Sequence, residues 1–190
     1  TFDPKFSNEM SKTAYISGNP WTLSVFEDRE PHDEFAIFSE VWKSDWDEEH
    51  GTVYPEPITD RGIAVWRDEP EVDQMILHYM QPHIPFIGSD DSGLHPGFTP
   101  EHLGKGKSKG PKDLWAMVRD GDIDREDAWH GYRDNLEFIL NHIEQILLKN
   151  IDAENIVLSA DHGNAVGEWG FWGHGEVPIE EVREVPWQQT

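Results

Sequence analysis

Between Trp129 and Ala160 the order of residues leaves few folds open. Trp129, Tyr132, Leu136, Ile139, Leu140, Ile143, Ile146 and Leu147 recur at intervals of three and four, the spacing that gathers apolar side chains on one face of an α-helix. Ile151-Asp152-Ala153-Glu154 then connects to Asn155-Ile156-Val157-Leu158-Ser159-Ala160, whose apolar character suits a central strand. Upstream, Met75-Ile76-Leu77-His78-Tyr79-Met80 is a second such run, broken by Gln81-Pro82. Strand, helix and strand in that order make a βαβ unit. The predicted class is therefore α/β, a mostly parallel sheet with helices on both faces.

The remaining segments fill in around that unit. Ala14 to Ser17 is a β-leaning run stopped by Gly18-Asn19-Pro20, and Glu34 to Ser39 reads as a second strand. Residues 42–60 show no clear period and read as irregular connection, as does the Pro-interrupted tail from Glu176. Trp115, Trp129, Trp169 and Trp172 could form a sugar-stacking platform, but Trp129, on the apolar face of the long helix, is expected in the core. Residues 88–113 form a loop rich in Gly, Pro, Ser and Lys. Its Lys105, Lys107, Lys109 and Lys112 make it either a basic lid over an anionic substrate or a solvated flap. A chain of 190 residues predicts one domain spanning positions 1–190.

Charge removes several functions. With 38 Asp plus Glu against 15 Lys plus Arg the formal charge is −23, so phosphate backbones and anionic membrane surfaces are repelled. No nucleic-acid partner is expected. No membrane span is expected either, because no apolar run approaches the roughly 18–20 residues a spanning helix needs. The absence of Cys excludes a disulfide framework, a thiolate zinc site and a cysteine nucleophile within this sequence. The opening Thr1-Phe2-Asp3-Pro4 has neither an initiator Met nor a basic-then-apolar leader, and the expected location is the cytoplasm. So acidic a surface resembles that of proteins adapted to very high salt, where carboxylates hold water and cations.

The candidate chemistry lies beyond the ends of the apolar runs, where ligand sites of open α/β sheets are found. Asp161-His162-Gly163 follows residues 155–160, and the turn at Gly163 can swing a carboxylate and an imidazole toward one point. Such an oxygen and nitrogen pair suits one divalent metal ion, Zn, Mn, Mg or Ca, although a full site needs further ligands. As a bare tripeptide it also reads as an ordinary polar turn. His83, between Pro82 and Pro85, follows the other run, and His174 lies 12 residues past His162 in Trp172-Gly173-His174-Gly175. Three histidines and an aspartate are predicted to converge.

Taken together, Asn155 to Asn164, Gly167-Glu168, Gly173-His174, Val185-Pro186-Trp187, His78 to Phe86 and Tyr15 to Pro20 resemble the C-terminal core of the sulfatase branch of the alkaline phosphatase superfamily. The resemblance implies an alkaline-phosphatase-like sheet. It implies Asp161 and His162 as late metal ligands, and His83 as the histidine that contacts sulfate or phosphate oxygens and protonates the leaving group. It also implies His174 as a second contact to the ester oxygens. The implied activity is metal-dependent hydrolysis of a small anionic ester or a sulfated glycan. The family's nucleophile motif is missing: Ser7, Ser11 and Ser17 lack its Pro and Arg context. The chain accordingly reads as the later part of a longer catalytic domain, inactive in isolation. The alternative is a non-catalytic binding partner that retains the fold.

The acidic surface generates a first prediction. The melting temperature of the protein should rise steeply between low salt and molar KCl, as read by circular dichroism; a flat dependence would mark an ordinary acidic protein.

Overall fold

The computed structural model describes residues 4–22, 31–88 and 113–190, so the predicted lid with Lys105, Lys107, Lys109 and Lys112 lies outside the described residues. In chain order the elements used below are strands β1 (Thr13–Ser17) and β2 (Ile37–Glu40), helix α1 (Pro55–Asp68) and β3 (Gln74–His78). Then come α2 (Leu114–Asp120), α3 (Arg125–His142), β4 (Val157–Ser159), β5 (Ala165–Val166), β6 (Trp172–Gly173) and β7 (Trp187–Gln189). Two compact units result. The described part of Thr1–Pro111 with Gly131–Ile151 forms one, and the described part of Lys112–His130 with Asp152–Thr190 the other. Among the described residues no helix is long and apolar enough to cross a membrane.

The first unit is built on β1, all five of whose residues are buried. Thr13, Tyr15 and Ile16 are branched or aromatic, the types that fit a pleated surface packed on both sides. β2 and β3 flank it in parallel, giving the order β2-β1-β3, with Tyr15 opposite Phe38 and Ile76. Strand alternation sorts its side chains. Ala14 and Ile16 pack with Val41, Val53, Ile58 and Val65, whereas Tyr15 packs with Phe35 and Phe38. The α/β class is thus borne out at the level of a three-stranded parallel sheet with helices.

Two local expectations are corrected. Residues 42–60 are not wholly irregular, because α1 starts at Pro55. Proline at the first helical position gives up no intrahelical hydrogen bond, so Pro55 is suited to open the helix. Gly62 of α1 lets the helix approach β3, since a Cβ there would lie 2.7 Å from Leu77 Cδ2. The second strand begins at Ile37 rather than Glu34, which instead ends a one-turn helix at Pro31–Glu34.

The larger correction concerns residues 155–160. Only Val157–Ser159 is strand, and it pairs antiparallel with β7, in a two-stranded sheet separate from that of β1. It alternates exposed, half-buried and exposed, so it is not a central strand. A short apolar run fixes extended conformation but not its partner, and here the partner is the tail that was expected to be irregular.

The helix predicted from Trp129 onward is present as α3, prolonged by a π-turn at Ile143–Leu147. Its buried positions are Ala128, Asn135, Ile139, Ile143 and Leu147, while Leu136, Leu140 and Ile146 are exposed. Trp129, expected in the core, is half exposed at 49%. The apolar residues spread over a wider arc than one contact face covers, and the polar Asn135 occupies its centre. That side chain is completely buried. Its Nδ2 donates to His83 O at 3.0 Å and to Pro85 O at 3.3 Å, and its Oδ1 accepts from Gly88 N at 3.2 Å. A second buried polar chain ties α1 to α3: Thr59 Oγ1 is 2.7 Å from Tyr79 Oη and 2.8 Å from His142 Nε2. Burial of Tyr79 pushes its phenol up to about 12.

Asn135→Ala removes one side chain from three backbone groups. It should lower unfolding free energy by about 2–3 kcal/mol in urea denaturation. A loss below about 1 kcal/mol would mean that water replaces the carboxamide.

Candidate functional site

In the second unit, the turn after β4 carries Asp161, His162 and Gly163, and the chain then enters β5. β5 pairs antiparallel with β6, with Ala165 opposite Gly173 and Val166 opposite Trp172. Continuing that register by one residue sets His174 beside the residues just before β5. The rings of His162 and His174 accordingly stack, with centroids 4.1 Å apart and planes 24° from parallel.

Asp161 and His162 are also brought together. Asp161 Oδ1 accepts from His162 N at 3.0 Å and lies 3.7 Å from His162 Nε2. The other ring nitrogen, Nδ1, is 3.0 Å from Gly163 O. A carbonyl only accepts, so Nδ1 carries a proton, and in that tautomer the lone pair of the ring is on Nε2. Nε2 and Asp161 Oδ1, 3.7 Å apart, are then two donor atoms that a cation or a proton can bridge.

The turn is fixed from behind. Gly163 N donates to Val182 O at 2.9 Å, and a Cβ on Gly163 would fall 2.2 Å from Glu181 O. Only glycine permits that approach. Glu181 was not anticipated from the sequence, because it lies in an acidic stretch of the tail. Its Oε2 is buried with no hydrogen-bond partner among the described residues. Asp113 was also missed. It caps α2 by accepting from Ala116 N at 3.2 Å, and its charge acts on His174. The signal was an Asp directly before an apolar Leu114-Trp115 pair, a helix-start pattern.

His174 is held below the usual imidazole range, first by burial and next by its neighbour His162, against the opposing pull of Asp113 and Asp161. His83 belongs to the first unit. There, His83 N donates to Met80 O at 3.0 Å, Nδ1 donates to Ile84 O at 2.9 Å, and Asn135 holds the His83 carbonyl. Its neutral ring therefore has the same tautomer as that of His162. Among the described residues no three His, Asp or Glu side chains gather closely enough to hold a metal ion by themselves.

At the far end of the β5–β6 hairpin the chain turns through Gly167 (φ 115°), Trp169 (φ 52°) and Gly170 (φ 81°). Glu168 Oε2 accepts from Val166 N at 2.6 Å and pins that turn. Trp169 is a non-glycine residue in the left-handed region, a conformation that costs about 1–2 kcal/mol, and its side chain is 85% exposed. No family model matches the chain, and neither the curated proteins nor the solved structures give a match.

The depressed His174 has a definite pH consequence. Its folded form binds the proton less readily than the unfolded chain does, so stability is full above the ordinary imidazole value of 6.5 and is lost as pH falls below it. In chelator-treated protein, urea unfolding at about pH 8 and about pH 5 should show a larger acid loss than in His174→Gln. Equal losses would exclude His174 as a source.

Proposed function

We propose that the chain belongs to a metal-dependent hydrolase of sulfate or phosphate esters, of the sulfatase type that its motifs resemble. The observation that carries this reading is the facing of His162 Nε2 and Asp161 Oδ1 across 3.7 Å, with His174 stacked on the same ring. The donor set, one carboxylate oxygen and one neutral imidazole, fits a divalent ion of the Mn, Zn, Mg or Ca class. When bound, such an ion neutralises ester charge and withdraws electrons from the scissile group.

The chain's own residues do the rest. The Gly163 carbonyl orients His162, and Asp161 supplies the negative charge that a cation needs. His174, held below the usual imidazole range by desolvation and by its neighbour His162, is suited to hydrogen-bond an ester oxygen without adding another fixed charge. For His83 the support is the resemblance alone, which implies a leaving-group role, and its Nδ1–H tautomer places proton exchange on Nε2.

The nucleophile is not among these residues. Ser17 is completely buried, and its Oγ accepts from Asn19 N at 3.0 Å, a local turn contact rather than an exposed hydroxyl. That observation favours one second reading, a non-catalytic protein that retains the fold. Localisation to the cytoplasm and adaptation to high salt remain part of the proposal.

Calorimetric titration of Mn2+ and Ca2+ into chelator-stripped protein in molar KCl tests the metal assignment. Affinity should fall at least about tenfold in Asp161→Asn and in His162→Gln. Unchanged affinity in both variants, or no binding by the parent, overturns it. Aryl sulfate and aryl phosphodiester assayed with the same ions should show no turnover by this chain, because activated attack needs a nucleophile that it does not supply. Asp161-dependent turnover would instead locate the nucleophile within it.

A further inference from the structure

A cavity of about 600 Å³ lies in the second unit, between the start of α3 and the β5–β6 hairpin. Arg125, Glu126, Trp129 and His130 line it from the helix, and Val166 and Glu168 from the hairpin. Its size is within the range of small-molecule sites, roughly 300–1,000 Å³. It has no part in the reading above.

The walls are chemically mixed. Trp129 offers a half-exposed indole to the cavity, and Val166 adds apolar surface. Around them stand a guanidinium, two carboxylates and an imidazole. Arg125 Nη2 and Glu168 Oε1 are 4.0 Å apart, too far for a direct hydrogen bond. Glu168 cannot simply swing across, because its other oxygen holds Val166 N at 2.6 Å. A hydroxyl fits this gap, since one oxygen can accept from the guanidinium and donate to the carboxylate at once.

We propose that this cavity binds a neutral sugar, with a pyranose ring lying against Trp129 and its hydroxyls spanning Arg125 and Glu168. A pyranose presents axial C–H groups on its faces, which suit an indole, and hydroxyls around its rim, which need donors and acceptors together. An anion would meet Glu126 and Glu168. A compact cation would meet Arg125. The turn beside Glu168 agrees with a recognition role: Trp169 is kept exposed in a backbone conformation unfavourable for a side chain, the kind of outlier that clusters at ligand sites. The inference does not depend on ester hydrolysis, and its test contains neither metal nor ester.

The probes are cellobiose, maltose and lactose, titrated into the full chain while the nine indole N–H resonances are followed by NMR. At least one disaccharide should shift the Trp129 resonance saturably. Trp129→Ala should weaken that sugar at least tenfold and Trp129→Tyr much less, because the tyrosine ring restores a flat face. Glu168→Gln should weaken it severalfold, whereas Trp187→Phe, on β7, should leave it unchanged. Failure of all three sugars to shift Trp129 overturns the proposal. So does saturable binding of tetramethylammonium or adenosine there in place of a sugar, or equal affinity in Trp129→Ala and the parent.

Discussion

One buried carboxamide carries a disproportionate share of the first unit's organisation. Where β3 ends, the chain leaves the sheet through a proline-bounded loop, and backbone groups that leave a ladder need other partners. Asn135 meets that need from α3 by serving two carbonyls and one N–H between His83 and Gly88. The position of the His83 backbone thus depends on a helix about 50 residues away in sequence, through hydrogen bonds rather than apolar packing. The sheet explains why such a bridge is affordable: β1 is buried along its whole length, and its two faces gather separate apolar clusters.

The second unit works differently. Its strands are two or three residues long, so little ladder energy fixes them, and the turns matter more than the sheets. The β5–β6 register brings His174 to His162, and the backbone around Gly163 locks the turn onto the tail. Two imidazoles, a carboxylate and a largely exposed tail are arranged by only a few backbone hydrogen bonds.

How much of this was legible follows from the kind of signal each residue gives. β1 was readable because a continuous apolar run bounded by Gly and Pro has few other solutions, whereas the run at Met75 was readable as strand but not as a flanking one, since β3 is half-buried or exposed along its length. Asp161, His162 and His174 could be singled out because a strand-end tripeptide and a Gly-His 12 residues later match a hairpin return. Asn135 was invisible, since hydrophobic periodicity scores it as polar and looks past it. Trp129 was misplaced for the opposite reason: size and apolarity argue for the core, but a helix that is apolar on too many sides must expose some of them. α1 was hidden because residues 42–60 show no clear period and the helix starts only at Pro55 within them. The pairing of β4 with β7 depended on a contact between distant segments that neither segment encodes alone.

Gly163 also constrains how this chain could change over evolutionary time. Residues 161 and 162 can be exchanged one at a time. At 163 even a methyl group would collide with the Glu181 carbonyl. New side chains at the turn are therefore accessible by single steps on its outward side, while its inward side is closed unless the tail moves in the same step. The turn can be retuned but not redrawn.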